Sequence, residues 1–149
     1  MNYGLKDKII FVTGGGSGIG RAIALMAARD GANVVVADAV AQRASAVAAE
    51  LRDLGVTAIE ETLDVRDGLA CEAVVERIEK QLGPIDGMVA CAGISTPSAA
   101  TEMSDEIWSR CLDVNLTGMF RSVRPVGQRM VRRKRGAIVT VASIDGLGG

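Results

Sequence analysis

The residues Thr13-Gly14-Gly15-Gly16-Ser17-Gly18-Ile19-Gly20 carry their chemistry in the backbone. Glycines permit a tight turn and let main-chain N–H groups approach an anion closely. An apolar run, Lys8-Ile9-Ile10-Phe11-Val12, precedes them, and a helical pattern, Arg21-Ala22-Ile23-Ala24-Leu25-Met26-Ala27, follows. Strand, glycine loop and helix in that order form a cradle for the pyrophosphate of a dinucleotide, with the helix N-terminus aimed at the negative charge. The plain alternative is a glycine-rich turn, but the flanking strand and helix are the context that the cradle requires. Gly14, Gly16, Ser17, Gly18, Ile19 and Gly20 are therefore candidate cofactor-binding residues.

A second candidate is Asp38, which ends the run Asn33-Val34-Val35-Val36-Ala37 and stands 18 residues beyond Gly20. An acid at that spacing accepts hydrogen bonds from the adenosine ribose hydroxyls and repels a 2′-phosphate. No Lys or Arg interrupts residues 13–20, so the expectation is NAD in preference to NADP. The alternative is a surface acid at a strand end.

These residues need elements to hold them. Short runs rich in Val and Ile, as expected of strands buried on both faces, occur at 8–12, 33–38, 57–63, 87–91 and 137–142. Between them lie apolar stripes at helical spacing: Ala44, Val47, Ala48, Leu51 and Leu54, then Cys71, Val74, Val75, Ile78 and Leu82. Ser104 reads as the N-cap of a long helix reaching about Arg133, with Asp105 and Glu106 beside the positive end of its dipole. Gly31, Gly55, Gly83 and Gly136 each follow a helical segment as a C-terminal stop. The alternation of strand and helix predicts an α/β fold, a Rossmann-like doubly wound parallel sheet with right-handed crossovers. By analogy with that fold, the expected strand order is 3-2-1-4-5, in a single domain over 1–149.

Composition narrows the function. The 149 residues are 48% hydrophobic with a net charge of −1, so neither disorder nor a nucleic-acid-binding field is expected. The basic run Arg132-Arg133-Lys134-Arg135 reads as a solvated helix end. No segment has the length of a membrane span, and the N-terminal residues lack the apolar stretch of a signal peptide. The three cysteines, Cys71, Cys91 and Cys111, read as reduced thiols of a cytoplasmic protein. Without histidine, a histidine-based triad or zinc site is excluded within these residues, and no metal site is expected.

The glycine loop matches the Thr-Gly-x-x-x-Gly-x-Gly of the short-chain dehydrogenase/reductases, and further motifs follow in that family's order across essentially all 149 residues. Asp64-Val65 resembles the acid and apolar pair that meets the adenine. Cys91-Ala92-Gly93 resembles the family's Asn-Ala-Gly. Asn115, in Asp113-Val114-Asn115-Leu116, resembles the asparagine of the long helix that positions a proton-relaying water. Ser143 resembles the catalytic serine that orients a carbonyl. The resemblance implies hydride transfer between a nicotinamide and a secondary alcohol or ketone, such as a 3-oxoacyl, sugar or steroid substrate, and a homo-oligomer.

The chain departs from the family pattern in two places. Cys91 stands where the family has an asparagine that ties the central strand to its neighbours, and a thiol is a poor hydrogen-bonder. The family's Tyr-x-x-x-Lys, which supplies the acid and its activating cation, follows the serine and is not among these residues; the one tyrosine is Tyr3. Of the family's catalytic residues the chain offers Asn115 and Ser143, while Asp145 is a further candidate for contact with substrate and Lys134 is a poor replacement cation. The expectation is the N-terminal, cofactor-binding portion of a short-chain oxidoreductase, inactive alone. The alternative is a catalytically incompetent nucleotide-binding module. A methyltransferase on a similar fold is a weaker third, since a methyl-donor site has no need of this ordered set.

Overall fold

Along the first strand, β1 (Ile9–Thr13), every residue is buried, and successive apolar side chains enter opposite layers. This computed structural model describes residues 3–143. After β1 come α1 (Gly18–Arg29), β2 (Asn33–Asp38), α2 (Ala41–Asp53), β3 (Ala58–Thr62), α3 (Gly68–Gln81) and β4 (Gly87–Ala90). Then follow α4 (Asp105–Leu112), a π-helical segment (Asp113–Gly118), α5 (Met119–Arg132) and β5 (Ala137–Thr140). All paired strands run parallel, in the order β3-β2-β1-β4-β5, as the sequence predicts.

Two apolar layers flank the sheet. Ile9 and Phe11 of β1 and Val35 of β2 pack with Cys71, Val74, Val75 and Ile78 of α3 and Val126 and Met130 of α5. On the other face, Ile10, Val12, Val34 and Val36 meet Ala24, Ala27 and Ala28 of α1 and Ala44, Val47, Ala48 and Leu51 of α2. Each fully buried Val, Leu, Ile or Phe contributes roughly 1.5–3 kcal/mol from area removed from water. Burial also pushes the Cys71 thiol up to about 11, so this cysteine is an unreactive core residue.

Gly31, Gly55, Gly83 and Gly136 all adopt positive φ after their helices, from +83° to +135°. Other expectations need correction. Leu54 is not part of the buried stripe: it lies beyond α2 and is 43% exposed. The long helix is not uniformly α-helical, because the π-helical segment divides it. Nor is the basic run merely solvated. Arg133 donates to Glu79 at 2.7 Å and to the Ile85 carbonyl, and Arg135 pairs with Asp86 at 2.6 Å. With Arg129 bridging Glu72 and Glu79, this network fastens α5 to α3 and to the turn before β4.

Candidate functional site

A cleft of about 930 Å³ opens beyond the carboxyl ends of the strands, where strand order reverses between β1 and β4. The glycine loop forms its floor. Gly14 has φ +66°, and a Cβ there would lie 2.7 Å from Ala92 Cα. A Cβ on Gly20 would collide with the Gly14 carbonyl oxygen. The loop thus packs against both the segment after β4 and the first turn of α1, and neither approach tolerates a side chain. Ser17 takes the N-cap position of α1 in extended conformation, yet its side chain makes no capping bond, and α1 has no acid in its first turn. By contrast, α3 and α4 are capped by the side chains of Asp67 and Ser104. The N-terminus of α1 thus faces the cleft with uncapped N–H groups and an uncompensated dipole, and α2, whose N-cap Val40 also lines the cleft, likewise has no side-chain cap and no acid in its first turn.

Thr13, recognised in the sequence only as part of the motif, proves to be a positioning residue. It is 1% exposed, and its Oγ1 accepts from the Cys91 N–H at 3.3 Å and, more weakly, the Ala92 N–H at 3.5 Å. Cys91 N–H also reaches the Thr13 carbonyl at 3.2 Å. The backbone therefore ties β1 to the β4 exit at the position where the family uses an asparagine. The Cys91 thiol lines the cleft, and burial pushes its pKa up.

Asn115 makes the second tie. Its Oδ1 accepts from the Ile94 N–H at 2.8 Å and its Nδ2 donates to the Ile94 carbonyl at 2.9 Å. It sits in the π-helical segment, whose Gly118 is pressed so closely by Val65 that a Cβ would lie 2.6 Å from Val65 Cγ2. The long helix thereby clamps the loops leaving β3 and β4.

Asp38 is 8% exposed. Its Oδ2 accepts from the Gly16 N–H at 3.1 Å and its Oδ1 from the Val40 N–H at 3.0 Å. Asp64 is the more open acid. Its carboxylate takes Arg66 Nη2 at 2.6 Å and Nε at 2.9 Å, and this pairing holds the Asp64 carboxyl below its ordinary range. Ile94, Val114, Met119, Val141, Ala142 and Ser143 continue the wall, with Ser143 exposed at the rim.

The cleft thus gathers Gly14, Ser17, Gly18, Ile19, Gly20, Asp38, Asp64, Val65, Cys91, Ala92, Gly93, Asn115 and Ser143, with Gly16 beneath Asp38. Lys134 is at the other end of the sheet, in the turn entering β5, and Tyr3 donates its N–H to Asp30 just beyond α1. Asp145 lies outside the described residues. Sequence reasoning missed three cleft-lining cations, Arg43, Arg66 and Arg110. Only Arg66, two residues from Asp64, carried a local signal.

Residues 8–149 match the family model described as short chain dehydrogenase. The chain belongs to this family. Among its curated relatives, the 2,3-dihydro-2,3-dihydroxybenzoate dehydrogenase of Bacillus subtilis (strain 168) is 39% identical over 140 residues, 94% of this chain and 54% of that protein. The 5-keto-D-gluconate 5-reductase of Escherichia coli (strain K12) is 33% identical over 96% of this chain and 56% of its own length. A solved NAD+-bound xylitol dehydrogenase superposes with a TM-score of 0.95 at 28% identity, over 98% of this chain and 56% of that one. The chain therefore spans a little over half the length of these proteins.

Proposed function

We propose that these residues form the cofactor-binding part of an NAD-dependent oxidoreductase acting on a secondary alcohol or ketone. The observation that carries this reading is the cleft itself: an uncapped helix N-terminus over a glycine loop too tight for side chains, with the Asp38 carboxylate held against that loop by the Gly16 N–H. Residues 14–20 would hold the pyrophosphate, Asp38 the adenosine ribose, Asp64 and Val65 the adenine, and the segment Cys91-Ala92-Gly93 the central part of the dinucleotide. When bound, the cofactor supplies or accepts hydride. Ser143 at the rim would orient the substrate oxygen, and Asn115 would hold the loop at Ile94 while positioning a water for proton relay.

Catalysis by a Tyr-x-x-x-Lys pair lies outside these 149 residues, whose one tyrosine is Tyr3 at the far end of α1. The chain alone is therefore expected to bind cofactor without turnover, since a positioned general acid is worth ~10²–10⁴-fold. The names of the relatives support a hydroxylated or keto small molecule as substrate. The exposed apolar residues Trp108, Leu112, Leu116 and Phe120 on the long helix support a homo-oligomer. Free thiols at Cys71, Cys91 and Cys111 fit a reducing compartment such as the cytoplasm. No helix among the described residues is long and apolar enough to cross a membrane. Calorimetric titration of the 149-residue protein with NAD and NADP tests the binding reading, with tighter binding of NAD expected. Failure to bind either would overturn it. Steady NADH oxidation with ketones by the purified chain would overturn the expected inactivity.

A further inference from the structure

We infer that Arg43 is a second determinant of cofactor choice, supplying a counter-charge for a 2′-phosphate at the wall where Asp38 stands. The inference rests on the cleft binding an adenine dinucleotide. Arg43 is the third residue of α2 and lines the cleft. Its Cβ and the Asp38 Oδ2 lie 2.6 and 2.7 Å from the same point, the place a Cβ would occupy on Gly16. Gly16 thus lets the stem of Arg43 and the carboxylate of Asp38 close over the loop together.

The charges around the cleft show why this matters. Asp64 is neutralised by its bidentate partner Arg66, and Arg110 faces the same carboxylate. Arg43 has no such partner: among the described residues its side chain makes no ion pair or hydrogen bond. Ala39, Val40, Ala46 and Val47, three and four positions away along the chain, offer no acid, and Glu50 of the same helix is held by Arg21 at 2.5 Å. Asp38, for its part, already receives the Gly16 and Val40 N–H dipoles on its two oxygens. A phosphate on the ribose 2′-oxygen would therefore meet one carboxylate softened by two amides and one uncommitted guanidinium. A bare acid would repel it. The guanidinium fork also matches phosphate geometry. Asp38 alone predicts strong exclusion of NADP; with Arg43 beside it, the preference for NAD is narrow.

The test compares 5′-AMP with 2′,5′-ADP, and NAD with NADP, by calorimetry at low salt on wild type, Arg43→Gln, Arg43→Lys and Arg132→Gln. The AMP and ADP pair isolates the 2′-phosphate from the nicotinamide half. Arg132 is exposed at the end of α5, so its substitution removes the same charge away from the cleft. Arg43→Gln is expected to weaken 2′,5′-ADP and NADP by about fivefold to tenfold, as for a charge-assisted contact that remains solvent-exposed. AMP and NAD should change less than about twofold, since neither carries the 2′-phosphate that the guanidinium would meet. Arg43→Lys should retain part of the affinity, and added salt should shrink the difference. Equal loss for all four ligands, no loss for any, or the same selective loss from Arg132→Gln would overturn the inference while leaving the cofactor cleft intact. If wild type bound none of the four, the cofactor reading would fall, and this inference with it.

Discussion

Asp38 does two jobs with one carboxylate, and the two must be separated experimentally. It faces the cleft as an anion, and it is also the acceptor for the Gly16 and Val40 amides that set the shape of the loop. Truncation to alanine would strand both N–H groups and cost about 1–3 kcal/mol in loop stability, apart from any effect on ligand. Asp38→Asn keeps one acceptor oxygen while removing the charge. It is expected to weaken NAD by on the order of 1.5 kcal/mol, the lower end for a charged hydrogen bond, and to improve NADP relative to NAD. Calorimetry on both cofactors, with thermal unfolding as the control, checks this. If Asp38→Asn left the NAD-to-NADP ratio unchanged, the carboxylate would have no part in choosing the cofactor. Thr13 shows a complementary division: its motif membership was visible in the sequence, but its buried hydroxyl serves the Cys91 backbone.

At the scale of elements, the long helix from Asp105 to Arg132 is more than a covering layer. Its π-helical segment places Asn115 against Ile94 and Gly118 against Val65, so the exits of β3 and β4 are both fixed to one rigid element. Asn115→Ala would leave the Ile94 N–H and carbonyl without their partner. The expected loss is about 1–3 kcal/mol of stability, read as a lower thermal midpoint, with weaker cofactor binding from the loosened Cys91–Ile94 loop. An unchanged midpoint together with unchanged affinity would show that the clamp is redundant. How far such features were legible depends on range. The strands, the glycine stops and the Ser104 cap are written in neighbouring residues, and the structure returns them; Ser104 Oγ accepts from the Ile107 N–H at 3.3 Å. The π-helical segment has no compositional mark. The Asn115–Ile94 pair joins residues 21 apart and exists only once helix and sheet have packed. The family resemblance marked Asn115 as a site residue, and packing alone shows what its side chain holds.

For the whole molecule, the two outer strands of the described sheet are treated differently. β3 carries Glu60, paired with Arg52, and Glu61, paired with Arg77 at 2.7 Å, so charge guards that edge. β5 presents Ala137, Val139 and Thr140 to solvent with no charge, and Val139 is 57% exposed. An uncharged, exposed edge is a template for pairing with another chain. The long helix adds a second apolar surface. Along it Ile107 is exposed while Cys111, Val114 and Met119 are half-buried; more open are Trp108, Phe120 and Leu116, at 56%, 59% and 65%. The 149-residue protein is therefore expected to self-associate as its concentration rises, detected by sedimentation velocity. Trp108, its one tryptophan, should report burial of the helix surface as a blue shift in emission. Val139→Lys should shift the population toward monomer with little change in thermal midpoint, because the side chain it replaces is already in water. If Val139→Lys had no effect while Phe120→Glu abolished association and the Trp108 shift, the contact would run through the helix and not the strand edge. A protein that stayed monomeric at all concentrations would show that neither surface is adhesive by itself.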